Sequence, residues 1–216
     1  MFNFFKKRLD AKQIFFTLNK YLLSSIYELR EFPNSRPPIS STRTVNIEST
    51  ALVYFLIAGP IQLSELPSLI KKFLLSALKG CAMAHVTEFE KNESQQIIES
   101  RFDEYYHILE TGYNEAEICS KYLDFLGIVD HENDIIQNFK YTSFIDNLFM
   151  FSMEIIGTAN KDSKIIYTAL SKEDWASISA QSQQAVSEYN KKRNKERVIL
   201  TRLRASNSLI RRTDVW

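Results

Sequence analysis

Glycine and proline are scarce in this chain, with five of each in 216 residues. So few breakers leave little material for the tight turns of an all-β fold, and neither GxxxxGK[ST] nor GxGxxG, the glycine-rich phosphate cradles, occurs. Cysteine is scarcer still. Cys81 and Cys119 lie far apart and neither belongs to a CxxC pair, so both are expected to be reduced and buried rather than zinc-bound or redox-active. There is no GxSxG, and no Cys–His spacing nominates a nucleophile. The longest apolar run, Ala51 to Ile61, is about half the roughly 20 residues a membrane-spanning helix needs. The opening MFNFFKKRL places its charges after its aromatics, the wrong order for a secretory signal, and predicts a cytoplasmic protein. Nothing in the sequence calls for a cofactor.

What is present reads as helical and globular. Apolar residues make up 44% of the chain and charged residues 25%, which is enough hydrophobic material for a packed core. Apolar positions recur every three or four residues from about Ile14 through Phe15, Leu18, Leu22, Ile26 and Leu29, which predicts a first amphipathic helix ending before Pro33. Pro33 to Thr44 holds three of the five prolines and predicts a loop. A buried helix is expected from about Ile47, ended by Gly59 and Pro60. The next is expected from about Glu65 to Glu90, with Pro67 in its first turn, and another from Glu93, capped by Asn92, to Glu110. Asn114 and Glu117 have the spacing of a capping box and open a short helix that closes at Gly127. Asn133 to Ile156 predicts a further helix, closed by the GTANKDS stretch from Gly157 to Ser163. Ser171 and Asp174 form a second capping box, and almost no breaker follows until Ser206. The expected fold is an all-α bundle of five or six helices over residues 1–170, with a long basic C-terminal helix and tail over residues 171–216.

Two groups of residues have the shape of chemistry. Glu104 and His107 form an ExxH on a predicted helix, and His85 and Glu88 lie three apart on the helix before. Carboxylate-bridged metal centres use this spacing because residues three apart share a face and can grip one ion. A complete centre needs two such helices and two further carboxylates, while the chain has three His in all. If the two helices turn near Asn92, His85 falls opposite about Glu99, and His107 lies about 12 Å further along. No metal site is therefore expected, and Glu104 and His107 are the nearest approach to one. Around them, Arg101 shares a face with Tyr105, and Asp103 with His107, as ordinary i,i+4 pairing would place them. The stretch from Ser143 to Gly157, with three Phe and two Met, has the composition of core or of a soft partner groove, and core filling is the expectation.

The charge is unevenly distributed. Residues 1–190 carry 18 basic and 24 acidic side chains, whereas residues 191–216 carry nine basic and two acidic, so a net charge of +1 conceals an acidic body and a basic end. Wound at about 100° per residue, Asn190 to Arg212 gathers Ile199, Leu200, Leu203 and Ile210 into one stripe. Arg193, Arg197, Arg204 and Arg211 fall in a row along its border, with Lys191, Lys195 and Arg202 on the far side. This amphipathic pattern predicts a protein partner or self-association through Arg193, Arg197, Ile199, Leu200, Leu203, Arg204 and Arg211. Nucleic acid taking the Arg row on its phosphates is the alternative, opposed by the acidic body. A further alternative is peripheral membrane contact through Phe2, Phe4 and Phe5 with Lys6, Lys7 and Arg8.

Overall fold

The structure is a computed structural model, and the residues it describes are 10–32, 41–86, 91–128, 135–161, 165–185, 187–188 and 191. Among them the chain is all-helical, and the one ladder pairing is an isolated parallel bridge between Asp10 and Ile166. The chain divides into two compact units, Met1–Leu170 and Ser171–Trp216.

In the first unit, the Asp10 side chain accepts from the Lys12 N–H at 2.9 Å and caps α1, Ala11–Glu31. Its buried face is Ile14, Phe15, Leu18, Leu22, Ile26 and Leu29, the residues whose spacing predicted it. Ser41 caps α2, Thr42–Leu63, by accepting from the Thr44 N–H. This helix is the centre of the unit and packs against α1, α3 (Ser68–Ala84), α4 (Lys91–Thr111), α5 (Glu115–Phe125) and α6 (Ile135–Asn160). Surrounded on all sides, it is apolar on all sides: every residue from Ala51 to Ile61 is buried. Arg43–Leu63 is for that reason long and apolar enough by length and composition to cross a membrane, and 89% of its apolar window is buried inside the fold.

Expected boundaries of α2, α3 and α6 are corrected. α2 does not stop at Gly59 and Pro60 but continues through both to Leu63. A proline inside a helix costs about 3 kcal/mol. Ile57, Ala58 and Ile61 on either side are fully buried, and at about 1.5–3 kcal/mol for a buried Ile the packing outweighs that cost. Gly59 serves close approach, since a Cβ there would stand 3.2 Å from Leu109 Cδ2 on α4. Pro67 lies just outside α3 as its N-cap, because the chain between the helices is closed on the α2 side. There the Ser64 hydroxyl donates to the Ile61 carbonyl at 2.6 Å. α3 ends at Ala84, six residues before the expected Glu90, where the chain turns at the His85 cap. Likewise α6 runs past Gly157 to Asn160. The roughly 1 kcal/mol cost of a helical glycine is small beside the burial of Ile156 and Ala159 around it.

α2 begins at Thr42 behind the Ser41 cap, five residues before the expected Ile47, and α4 begins at Lys91, so Asn92 lies inside that helix rather than at its cap. The ends of α5 are where the sequence puts them. Asn114 Oδ1 accepts from the N–H groups of Ala116 and Glu117 to start α5. That helix closes in a Schellman arrangement, with Gly127 N–H on the Asp124 carbonyl, Ile128 N–H on the Leu123 carbonyl, and Gly127 at φ +66°. In the second unit, residues 172–185 are helical. Their start is a reciprocal capping box in which Ser171 N–H donates to Asp174 Oδ2 at 2.6 Å and Asp174 N–H to Ser171 Oγ at 3.2 Å.

Candidate functional site

The first turns of α2 carry Glu48, Ser49 and Thr50, three consecutive polar residues that are each buried. Consecutive helical residues point about 100° apart, so the three fan out toward different neighbours. Thr50 Oγ1 accepts from Arg30 Nη2 of α1 at 3.1 Å, and the Ser49 hydroxyl lies 2.9 Å from that of Tyr122 on α5. Glu48 meets α4, accepting from Arg101 Nε at 3.2 Å on one oxygen and 3.0 Å on the other. Each is the partner that a buried polar group requires.

Arg101 organises the cluster. Its Nη1 donates to Glu104 Oε1 at 2.9 Å, and its guanidinium carbon lies 3.6 Å from the centre of the Phe125 ring. Glu104 Oε2 in turn lies 3.5 Å from Lys121 Nζ. A line of alternating charge therefore runs from the interior outward, from Glu48 with 5% side-chain exposure through Arg101 and Glu104 to Lys121 with 44%. Desolvation raises the Glu48 carboxyl above its ordinary range, against the opposing hydrogen bond and charge of Arg101. Tyr105, fully buried between Phe55 and Phe125, has a hydroxyl without a hydrogen-bond partner among the described residues, and burial followed by the Glu48 charge holds its proton firmly. The whole arrangement ties α2, α4 and α5 together by charge and ring stacking.

A second polar contact joins α1, α2 and the end of α3. The Tyr27 hydroxyl lies 2.8 Å from His85 Nδ1, and Arg30 Nη2 reaches the carbonyls of Asn46 and His85. Burial, with the neighbouring Arg30 charge, lowers the His85 pKa to about 4, so the ring is neutral at physiological pH.

These contacts decide where the sequence-predicted residues stand. His85 faces α1 rather than Glu99, which is paired with Lys79, while Glu93 is paired with Arg43. Both oxygens of Glu104 are engaged by cations, and His107 is exposed on α4. Glu88 lies outside the described residues. Among the described residues no group of three or more His, Cys, Asp or Glu is placed to hold a metal ion. Arg193, Arg197, Ile199, Leu200, Leu203, Arg204 and Arg211 lie outside the described residues, as do Phe2, Phe4, Phe5, Lys6, Lys7 and Arg8. Sequence reasoning missed Glu48. A carboxylate followed by Ser and Thr at the start of an otherwise apolar helix is its only signal.

The Phe and Met stretch on α6 divides between two faces rather than filling the core. Tyr141, Ile145, Leu148 and Phe149 are buried, whereas Phe139, Met150 and Met153 are 73%, 56% and 42% exposed. Phe149 stacks on Tyr113 at 4.1 Å between ring centres, and Phe151 meets Tyr21 of α1 at 3.8 Å.

The chain matches no family model, no curated protein and no solved structure.

Proposed function

We propose that this is a cytoplasmic, non-enzymatic interaction protein that associates with itself or with a protein partner through its basic amphipathic C-terminal helix. The observation that carries the reading is the pattern of the tail. Wound as a helix, the sequence would gather Ile199, Leu200 and Leu203 into an apolar stripe bordered by Arg193, Arg197, Arg204 and Arg211, next to a body sequence whose net charge is of the opposite sign. A solvated charge run has no use for the stripe, and a stripe flanked by cations is matched by an apolar surface with acidic neighbours. The reciprocal box at Ser171 and Asp174 supports a helix that heads toward the tail. The reading as a binding rather than catalytic protein is supported by the Glu48 cluster, whose carboxylates are committed to Arg101 and Lys121.

Removal of residues 190–216 tests it. The shortened chain is expected to keep its helical circular dichroism and to lose its oligomeric state or its partner in light scattering and pull-down. An unchanged elution profile with no lost partner contradicts the reading. Labelled DNA and RNA titrated against the full chain separate the alternative. Nucleic-acid binding falls with salt at a log–log slope of about −0.9 per phosphate neutralised on duplex DNA. Binding of that kind, abolished by changing Arg193, Arg197, Arg204 and Arg211 to Gln, would put nucleic acid ahead of protein.

A further inference from the structure

The outer face of α6 is where the body has apolar surface to give. At about 100° per residue, Phe139 and Met150 lie about 20° apart around the helix and Met153 about 40° to the other side, with Asp146 between them. The three apolar side chains are exposed. Along the axis they span about 21 Å at about 1.5 Å per residue, and the sequence from Ile199 to Ile210, if wound as a helix, would span about 17 Å. Gly157 continues the row and has open space where a side chain would stand. Long, unbranched Met side chains adapt to a partner's shape.

Acidic groups accompany the stripe. Glu154 is exposed on the same helix, within one turn of Met150 and Met153. Asp146 of α6 and Glu115 of α5 converge beside Tyr113, whose hydroxyl keeps its proton through burial and then through those two charges. Lys140, the basic residue of this helix, is turned to the Phe32 ring, with its Nζ 4.0 Å from the ring centre. The face thus joins exposed apolar side chains to carboxylates, Asp146 set among them and Glu154 at their edge, and these can answer an apolar stripe with an arginine border.

We infer that the outer face of α6, centred on Phe139, Met150 and Met153, receives the C-terminal amphipathic helix of a second copy of this chain. The inference rests on the reading of the tail as an association element and names the surface it meets. Reciprocal exchange, each tail on the other copy's α6, makes the contact twice about a two-fold axis and closes at the dimer.

The test uses full-length chains in sedimentation velocity and light scattering. One carries Met150→Asp and Met153→Asp, a second carries the milder Phe139→Ser, and a third carries Ile199→Asp and Leu203→Asp. The substitutions on α6 are at exposed positions, so helical circular dichroism is expected to match the parent, and Phe139→Ser serves if the double change disturbs folding. The parent is expected to be a dimer, and the two face variants and the tail variant are each expected to shift to monomer. Mixing a face variant with the tail variant restores one of the two contacts, and a dimer should reappear. If both face variants remain dimeric while the tail variant is monomeric, the α6 assignment is overturned and the tail reading stands. If the tail variant remains dimeric, the tail reading fails, and this inference with it. A monomeric parent at every concentration overturns self-association.

Discussion

Glu48 and the outer face of α6 both run against the rule that places apolar groups inside and polar groups outside, and they do so in opposite senses. The carboxylate of Glu48 is inside the bundle, and Phe139, Met150 and Met153 are outside it. What distinguishes them is compensation. Glu48 is answered within the chain by both of its contacts with Arg101 Nε, and the next charges, Glu104 and Lys121, lead its field to the surface. The α6 stripe has no such answer among the described residues, because its side chains face solvent. A violation satisfied internally specifies structure, whereas one left open points to something outside the body.

The largest test of this contrast is Arg101→Met. It leaves a buried carboxylate without its cation, which costs about 3–5 kcal/mol. Urea unfolding is expected to show that loss. The double variant with Glu48→Gln should lose markedly less than the sum of the single changes, since the pair is coupled. Additive effects would mean that the two residues do not act together. The pH dependence has a definite sign. Burial raises the Glu48 pKa above its ordinary 4.5. Its contribution to stability is therefore fully present below that value and is lost as pH rises through the raised one.

His85 gives the next effect, with the opposite sense on the pH axis. Its pKa falls from the ordinary 6.5 to about 4 through burial and then Arg30, so the unfolded chain binds a proton in that window and the fold does not. Stability is expected to fall as pH drops from 6.5 toward 4, by up to about 3.5 kcal/mol at about 1.4 kcal/mol per pH unit. His85→Gln should flatten this limb of the stability curve, and an unchanged slope would show that His85 titrates normally.

Asn19 sharpens the contrast from the inside. It is fully buried on α1, and neither amide atom has a hydrogen-bond partner among the described residues. It is a polar group left without an internal answer, at a cost of about 1–3 kcal/mol. Asn19→Leu, close in volume, is expected to raise the melting temperature, and a lower one would mean that the amide is satisfied in solution.

Local signals in the sequence carried the helices, and tertiary packing set most of what they missed. Capping is a contact between neighbours, so Asn114 and Ser171 were legible as helix starts. Gly59, Pro60 and Gly157 look like stops in isolation, yet each sits among buried residues whose packing outweighs the local penalty. The i,i+4 logic around Arg101 was visible, but its main partner, Glu48, lies more than fifty residues away and follows no period. Likewise the composition of the α6 stretch spoke for core, and only the packing of Tyr141, Ile145 and Phe149 shows which face of it turns inward.

The most direct measurement is a nitroxide placed on the tail of one copy and read from the body of another. Ser206→Cys offers a label site that the proposed helix would hold outside its apolar stripe. Burial pushes the Cys81 thiol up to about 11 and Cys119 up to about 12, so neither native thiol competes for the label at neutral pH. Labelled chain carrying no nitrogen-15 is mixed with unlabelled, nitrogen-15-enriched chain, so that any broadening is intermolecular. Broadening of the amide resonances along the outer face of α6, from Phe139 to Gly157, is the predicted result. A spectrum with no broadening, or with broadening confined to other helices, would contradict it.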